Sequence, residues 1–161
     1  MSAARVYACF DAAGSGGPAA TDLKYYFLLR AWSLRAPLVR RYVDVHRAAA
    51  RRPRPRDLRR ELARRLKQSD LLLIILSERT RHSAGWLSWE ISFAAHTCRL
   101  PIVCAYTRCR EGSQVERRAW WPDVLHDVAA HKVTDLAHVP FRPQMLAEVF
   151  TRVGRRRSVV V

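Results

Sequence analysis

The six residues Leu71–Leu76, LLLIIL, constrain the fold of this chain more than any other stretch. Every position is a large aliphatic residue, so a strand formed here would bury both of its faces. Such strands occur in parallel sheets that are covered by helices on both sides. The run is far shorter than the roughly 20 apolar residues that a membrane-spanning helix needs. We therefore expect a fold built around a buried parallel strand, with no membrane partner.

Strand-like and helix-like segments alternate along the rest of the chain. Further strands are predicted at residues 5–10, 39–45, 101–106 and 131–133, and helices at 21–32, 55–69, 86–98, 120–128 and 143–153. The arginines of the second strand indicate an edge or half-exposed position. This alternation predicts an α/β fold with a flavodoxin-like, doubly wound, mostly parallel five-stranded sheet. Residues 1–154 are interpreted as a single domain, and residues 155–161 as a basic and apolar C-terminal tail.

The chain is strongly basic. It carries 29 Lys and Arg residues against 14 Asp and Glu, a formal net charge of +15, and much of the excess lies between Arg30 and Lys67. A field of this sign attracts anions such as a dinucleotide, a nucleic acid or an acidic protein surface, although a solvated basic face is the commoner explanation. The four cysteines lack the spacing of a disulfide framework, and the N-terminus lacks a signal-peptide pattern, so we expect a cytoplasmic location.

Glu90 is the most unusual residue of the sequence. It lies on one helical stripe with Trp86 and Phe93, beside a core stripe that contains Leu87 and Ile91. Attraction to the helix N-terminus would explain an acid in the first turns and would favour its ionised form, but it does not explain the aromatic neighbours. A capping box is excluded because Leu87 occupies the position that needs Ser or Thr. From the pattern alone, a structural and a functional role stay equally open.

Other motifs give weaker signals. Residues 14–17, GSGG, lack the lysine and the spacing of a phosphate-binding loop. The cysteines and His96 lack the paired spacing of a metal site, so we expect no metal. Ser77 and Glu78 follow the third strand, where a response regulator would need a phosphoacceptor aspartate.

Three segments resemble a known family. The opening RVYACFD, the string LKQSDLLLIILSERT and the run WLSWEISFA before LPIVCAYT are similar to the TIR-like domains of bacteria, above all those of the Thoeris antiphage-defence proteins called ThsB. The resemblance extends over roughly residues 4–107. It implies a flavodoxin-like fold with an NAD+-cleaving site in which Glu90 is the catalytic residue.

The resemblance also implies residues that line the pocket. Phe10 and Asp11 match the aromatic and acidic pair at the end of the family's first strand. Asp44 matches the acid after its second strand, whereas Val45 and His46 depart from the aromatic residue and serine that relatives often carry next.

Three further residues complete the predicted substrate-binding set. Ser83 and Trp86 lie at or just before the start of the helix that carries Glu90. Arg79, or alternatively Arg81, would hold the pyrophosphate. NAD+ is then a substrate and not a resident cofactor. A companion effector protein would sense the nucleotide product during antiphage defence, and such domains often act as homo-oligomers.

Two other functions stay open. A catalytically silent TIR-like adaptor would use the same fold as a protein-interaction surface. A nucleic-acid-binding module would use the basic region between Arg30 and Lys67. We rank the second lowest because no aromatic platform is interleaved with those basic residues, and nucleic acid is not among the expected partners.

Overall fold

The computed structural model describes residues 4–11, 22–35, 41–43, 54–83, 85–110 and 114–158. Its strands are β1 (Arg5–Cys9), β2 (Arg41–Val43), β3 (Leu71–Leu76), β4 (Ile102–Tyr106) and β5 (Leu136–Pro140). Its helices are α1 (Leu23–Arg35), α2 (Pro55–Lys67), α3 (Trp86–Ser92), α4 (Asp123–Ala130) and α5 (Pro143–Ser158). Short 3₁₀ turns lie at Thr80–His82 and Arg118–Trp120.

The strands pair in parallel in the order β2-β1-β3-β4-β5. This is the order of flavodoxin-like folds, in which the chain winds outwards in both directions from the centre of the sheet. The prediction of an α/β fold with a parallel sheet is confirmed. So are the central position of β3 and the edge position of β2.

Alternate residues of β3 contact two different hydrophobic cores, and all six are buried. One core joins that strand to α2, α3 and α4, and includes Leu72, Ile74, Leu76, Leu66, Ile91 and Leu125. The other joins it to α1 and α5, and includes Leu71, Leu73, Ile75, Leu29, Leu146 and Phe150. Successive side chains of a strand point to opposite faces, so an uninterrupted apolar run is what two covered faces require.

Helix α3 changes its geometry partway along. The predicted helix over residues 86–98 is an α-helix only to Ser92, and Phe93–Thr97 continues it as a π-helical turn. The N–H of Cys98 donates to the carbonyl of Phe93 at 3.1 Å, the five-residue spacing that defines such a turn. Gly85 precedes the helix with a φ of 65°, a conformation that favours glycine.

The last strand was placed wrongly by the sequence pattern. Residues 131–133 form the C-terminal turn of α4, in which the N–H groups of Lys132 and Val133 donate to Ala129 and Val128. Lys132 adopts a φ of 47°, which is incompatible with a strand. Strand β5 follows at Leu136–Pro140. Strand β5 lies at the edge of the sheet, where a terminal proline is tolerated. It is half-buried and therefore lacks the apolar run that identified β3.

Other boundaries differ from the prediction in smaller ways. Helix α5 runs to Ser158, so part of the predicted tail is helical, since arginine is a good helix former. Helix α4 begins at Asp123 instead of at residue 120, because Pro122 separates it from the preceding 3₁₀ turn. The predicted strand at residues 39–45 is described only at Arg41–Val43.

We expect Leu73→Ala to lower the free energy of unfolding by about 2–5 kcal/mol, because it leaves a cavity in the centre of the sheet. The same substitution at Leu34, which is 90% exposed on α1, should change it by less than about 0.5 kcal/mol. Urea denaturation followed by circular dichroism measures both. Equal effects at the two positions would contradict the burial of β3.

Candidate functional site

The order of the strands reverses between β1 and β3, and the carboxyl ends of these two neighbours define one crevice. In open α/β sheets, ligands bind beyond the strand ends at such a point. Phe10 and Asp11 leave β1 there, and Ser77 leaves β3. The crevice is thus formed by residues that the sequence places directly after buried strands.

A polar network connects the ends of β1 and β3. The hydroxyl of Ser77 donates to Oδ2 of Asp22 at 2.6 Å, and the N–H of Asp22 donates to the carbonyl of Asp11 at 3.2 Å. The Nε of Arg79 lies 3.6 Å from Oδ2 of Asp11. Of these residues, Asp11, Asp22 and Ser77 are buried, whereas the Arg79 side chain is 49% exposed. Two predicted site residues, Asp11 and Arg79, are therefore brought into an ion pair.

Asp22 is a member of this network that the sequence pattern did not identify. Burial raises the pKa of its carboxyl, the Ser77 hydroxyl lowers it, and the neighbouring Asp11 carboxylate raises it. Its position directly before α1 would have suggested only a helix cap. Its contact with Ser77 spans 55 positions of sequence, so only the fold brings the two together.

Glu90 lies in α3 beyond its first turn, with only 6% of its surface exposed. Its Oε1 accepts a hydrogen bond from the hydroxyl of Tyr7, at 2.5 Å. Tyr7 is fully buried in β1 and belongs to the same core as Leu87 and Ile91 of α3. The carboxyl is thus held between the helix and the face of the sheet.

Burial governs the protonation of Glu90. It raises the pKa of the carboxyl to about 7, although the hydrogen bond from Tyr7 acts in the opposite direction. Burial and the Glu90 carboxylate together raise the pKa of Tyr7 well above its ordinary value, so the phenol stays a donor. Burial therefore favours the neutral form of Glu90, opposite to the ionised form that a helix N-terminus would favour.

The aromatic residues around Glu90 pack against one another. Trp86 contacts Trp89 edge to face, with ring centroids 5.9 Å apart, and Trp89 stacks on Phe93 at 5.1 Å. Trp86 is 39% exposed, so it keeps surface available for a flat ligand. Trp89 lies outside the predicted stripe of Trp86, Glu90 and Phe93, yet it connects Trp86 to Phe93.

The remaining predicted residues are not all brought to one place. Phe10 stacks on Tyr26 at 5.2 Å and belongs to the core on the face of the sheet opposite to Tyr7. The hydroxyl oxygen of Ser83 is buried and has no hydrogen-bond partner among the described residues. Asp44 lies outside the described residues.

Besides Asp22 and Trp89, the sequence did not reveal the roles of Tyr7 and Ser77. Tyr7 was treated only as a strand former, yet an aromatic residue with a polar tip needs a partner when it is buried. Ser77 was placed at the carboxyl end of the third strand, at the expected ligand-binding edge, but was not included among the predicted site residues. Within the described part of the chain, no three His, Cys, Asp or Glu side chains are grouped as a metal site requires. None of the helices described combines the length and apolarity of a membrane span.

A parallel sheet in this order, with a buried acid on the helix after its central strand, defines a flavodoxin-like α/β domain with a candidate site at the β1–β3 crevice. The family described as Thoeris protein ThsB, TIR-like domain, matches residues 7–111. This match spans more than half of the chain, and the chain belongs to that family. No curated protein matches the sequence.

We expect Glu90→Gln to remove a pH dependence of stability. The pKa of Glu90 is about 7 in the folded protein against 4.5 without the fold. The folded state therefore binds the Glu90 proton more tightly than the unfolded state does. This proton stabilises the fold below about pH 4.5, and the stabilisation is lost as the pH rises to about 7. Between these two pH values the wild type should lose about 3 kcal/mol of unfolding free energy that Glu90→Gln does not lose. Urea denaturation at a series of pH values measures the difference.

Glu148→Gln is the matched control for this experiment, because Glu148 is exposed on α5. Its difference from wild type should stay nearly constant over the same pH range. A constant difference for Glu90→Gln as well would contradict the burial of an ionisable carboxyl at this position.

Tyr7→Phe should raise the pKa of Glu90 further, because it removes the hydrogen bond that favours the carboxylate. The carbon chemical shift of the Glu90 carboxyl, followed by NMR against pH, reports this value. Tyr106→Phe is the control, since the Tyr106 hydroxyl contacts Trp121 and His138 instead. An unchanged titration in Tyr7→Phe would show that the hydrogen bond does not control Glu90.

Proposed function

We propose that this protein is a cytoplasmic TIR-like NAD+-cleaving enzyme of the glycohydrolase or ADP-ribosyl cyclase type. It produces a nucleotide signal derived from ADP-ribose during antiphage defence, and Glu90 is its catalytic residue. The observation that carries the proposal is the buried carboxyl of Glu90, whose pKa is raised to about 7 and whose hydrogen-bond donor is a phenol. Strongly perturbed acids concentrate at functional sites, and membership in the ThsB family adds to this support.

A single carboxylate is sufficient for this reaction. Ordinary glycosidases need a second one to protonate the leaving oxygen. The nicotinamide of NAD+ is already cationic and departs neutral, so the enzyme has only to stabilise the oxocarbenium-like ribose. An ionised Glu90 directed at the ribose does so electrostatically, and more effectively in a site with little water.

The proton of Glu90 must leave before the carboxylate can act. At neutral pH the raised pKa leaves a large share of the carboxyl protonated. The positive charge of the bound nicotinamide favours the ionised form, because an opposite charge nearby lowers the pKa of an acid. Tyr7 then acts as a positioning residue, since its hydroxyl holds one carboxylate oxygen while the other is available for the ribose.

The crevice residues divide the binding of NAD+ among them. Asp11 accepts hydrogen bonds from ribose hydroxyls, and Arg79, half-exposed beside it, contacts the pyrophosphate. The exposed part of Trp86 stacks on a flat ring, and the hydroxyl of Ser83 gains a partner in the ligand. Phe10 supports the end of β1 from the opposite face. Asp44 stays in the proposed binding set through the family resemblance alone.

A companion effector protein reads the product. Assembly of the chain into a homo-oligomer is part of the same proposal, since such domains often act in assemblies. The product follows from which nucleophile captures the ribose.

A catalytically silent adaptor is the second candidate function. The observation in its favour is the outer surface of α1, where Phe27 and Leu28 are each 45% exposed and Leu34 is 90% exposed. Large apolar residues grouped on one exposed helix are typical of protein-interaction sites. In that case Glu90 would serve only to hold α3 against β1.

The two candidates differ in the fate of NAD+. In lysates of phage-challenged cells, wild type should consume NAD+ and yield an ADP-ribose-derived product, and Glu90→Gln should lower the rate at least about 100-fold.

With purified active protein, kcat/KM should rise with pH through about 7 as Glu90 ionises. Liquid chromatography with mass detection measures both quantities.

Glu148→Gln again provides the control, as an equal change on the exposed surface of α5. It should leave NAD+ consumption unchanged. Equal traces from wild type and a well-folded Glu90→Gln protein would make Glu90 structural and favour the adaptor.

A further inference from the structure

Helices α2 and α3 together form a surface of arginine and aromatic side chains. We call it the Arg–Trp surface. It consists of Arg56, Arg59 and Arg60 of α2 with Trp86 and Trp89 of α3. The guanidinium of Arg59 lies over the ring of Trp89, 5.4 Å from its centroid. The two helices are separated in sequence by β3, so this surface exists only in the folded chain.

The positive charge of this surface is available to a ligand. Arg64 and Arg65, one turn further along α2, are each held 2.7 Å from Glu61. Arg56, Arg59 and Arg60 are exposed, and the described residues provide no ion pair to any of them. Their spacing of three and four positions places them on neighbouring rows of the helix.

The aromatic part of the surface is partly open. Trp86 is 39% exposed, and Trp89 is half-buried between Trp86 and Phe93. A guanidinium that lies over an indole ring can itself contact a further flat ring. The surface therefore combines cations that suit phosphates with rings that suit bases.

We propose that the Arg–Trp surface binds single-stranded nucleic acid. Arginines contact the backbone phosphates, and one or more bases stack on Trp86 and on the Arg59–Trp89 pair. An acidic protein surface would use the charges but not the exposed indole. A duplex would offer phosphates but keep the faces of its bases hidden. Among nucleic acids, an unpaired strand is the form that uses both features.

The sequence alone ranked this function lowest because the basic region has no interleaved aromatic platform. The fold overturns that reason, since α3 supplies the aromatic platform beside the basic helix. The Arg–Trp surface shares Trp86 with the proposed NAD+ site. The two proposals can still fail separately, because nucleic-acid binding can be measured on the catalytically inactive Glu90→Gln protein.

The test is fluorescence anisotropy with labelled 20-nucleotide strands of DNA and RNA, and with the matching duplex, at NaCl concentrations of about 50–200 mM. We expect both single strands to bind more tightly than the duplex and to quench tryptophan fluorescence. Each phosphate contact on a single strand contributes about −0.7 to the slope of log affinity against log salt concentration. Contacts from the three arginines therefore predict a slope of about −2. No binding at about 50 mM NaCl would overturn the proposal.

Three variants locate the site. Arg59→Gln should weaken binding about tenfold and reduce the salt slope by about 0.7. Arg59→Lys should keep that slope but lose part of the affinity, because lysine lacks the planar group. Trp86→Leu should weaken binding of single strands at least about fivefold while leaving the salt slope unchanged.

Arg152→Gln is the matched control, because Arg152 is exposed on α5, which packs on the opposite face of the sheet. It should leave the affinity for single strands nearly unchanged. If Arg152→Gln weakened binding as much as Arg59→Gln, the attraction would come from net charge alone and the proposed site would be wrong. Equal affinity for duplex and single strands, unaffected by Trp86→Leu, would also overturn it.

Discussion

The structure depends on the burial of β3 from both sides. Its six aliphatic residues have 0% exposure, and each alternate set belongs to a different core. Helices are therefore needed on both faces of the sheet. The chain places them there by winding outwards in both directions from β1 and β3, which reverses the strand order between these two strands. The crevice that holds Asp11, Ser77 and Arg79 follows from that reversal. One apolar hexapeptide thus determines where a polar site can form.

The sequence predicted those parts of the fold that rest on local patterning. The strand at Leu71–Leu76 and the helix that begins at Pro55 were predicted at their observed positions, because each carries a strong local pattern. Strand β5 was misplaced, since a half-buried edge strand needs little apolar character. The π-helical turn after Ser92 left no readable pattern, because its apolar residues suit an α-helix equally.

The candidate site was predictable only in part. Glu90 could be found because an acid among aromatic residues breaks the pattern of its helix. Its partner Tyr7 could not, since 83 positions separate the two and any buried tyrosine fits a strand. The same holds for Asp22 with Ser77. The ionisation of Glu90 was misjudged because desolvation depends on the packing of α3 against β1, which patterning along one helix does not contain.

The π-helical turn at Phe93–Thr97 has a consequence for how this domain can vary. A π turn holds one residue more than an α turn, so this stretch can gain or lose a residue by changing its local winding. Trp86 and Glu90 precede it and are fixed by their contacts with Trp89 and Tyr7. Insertions and deletions between α3 and β4 can therefore be absorbed within the helix itself. A one-residue insertion or deletion here would leave the acid in its place against β1.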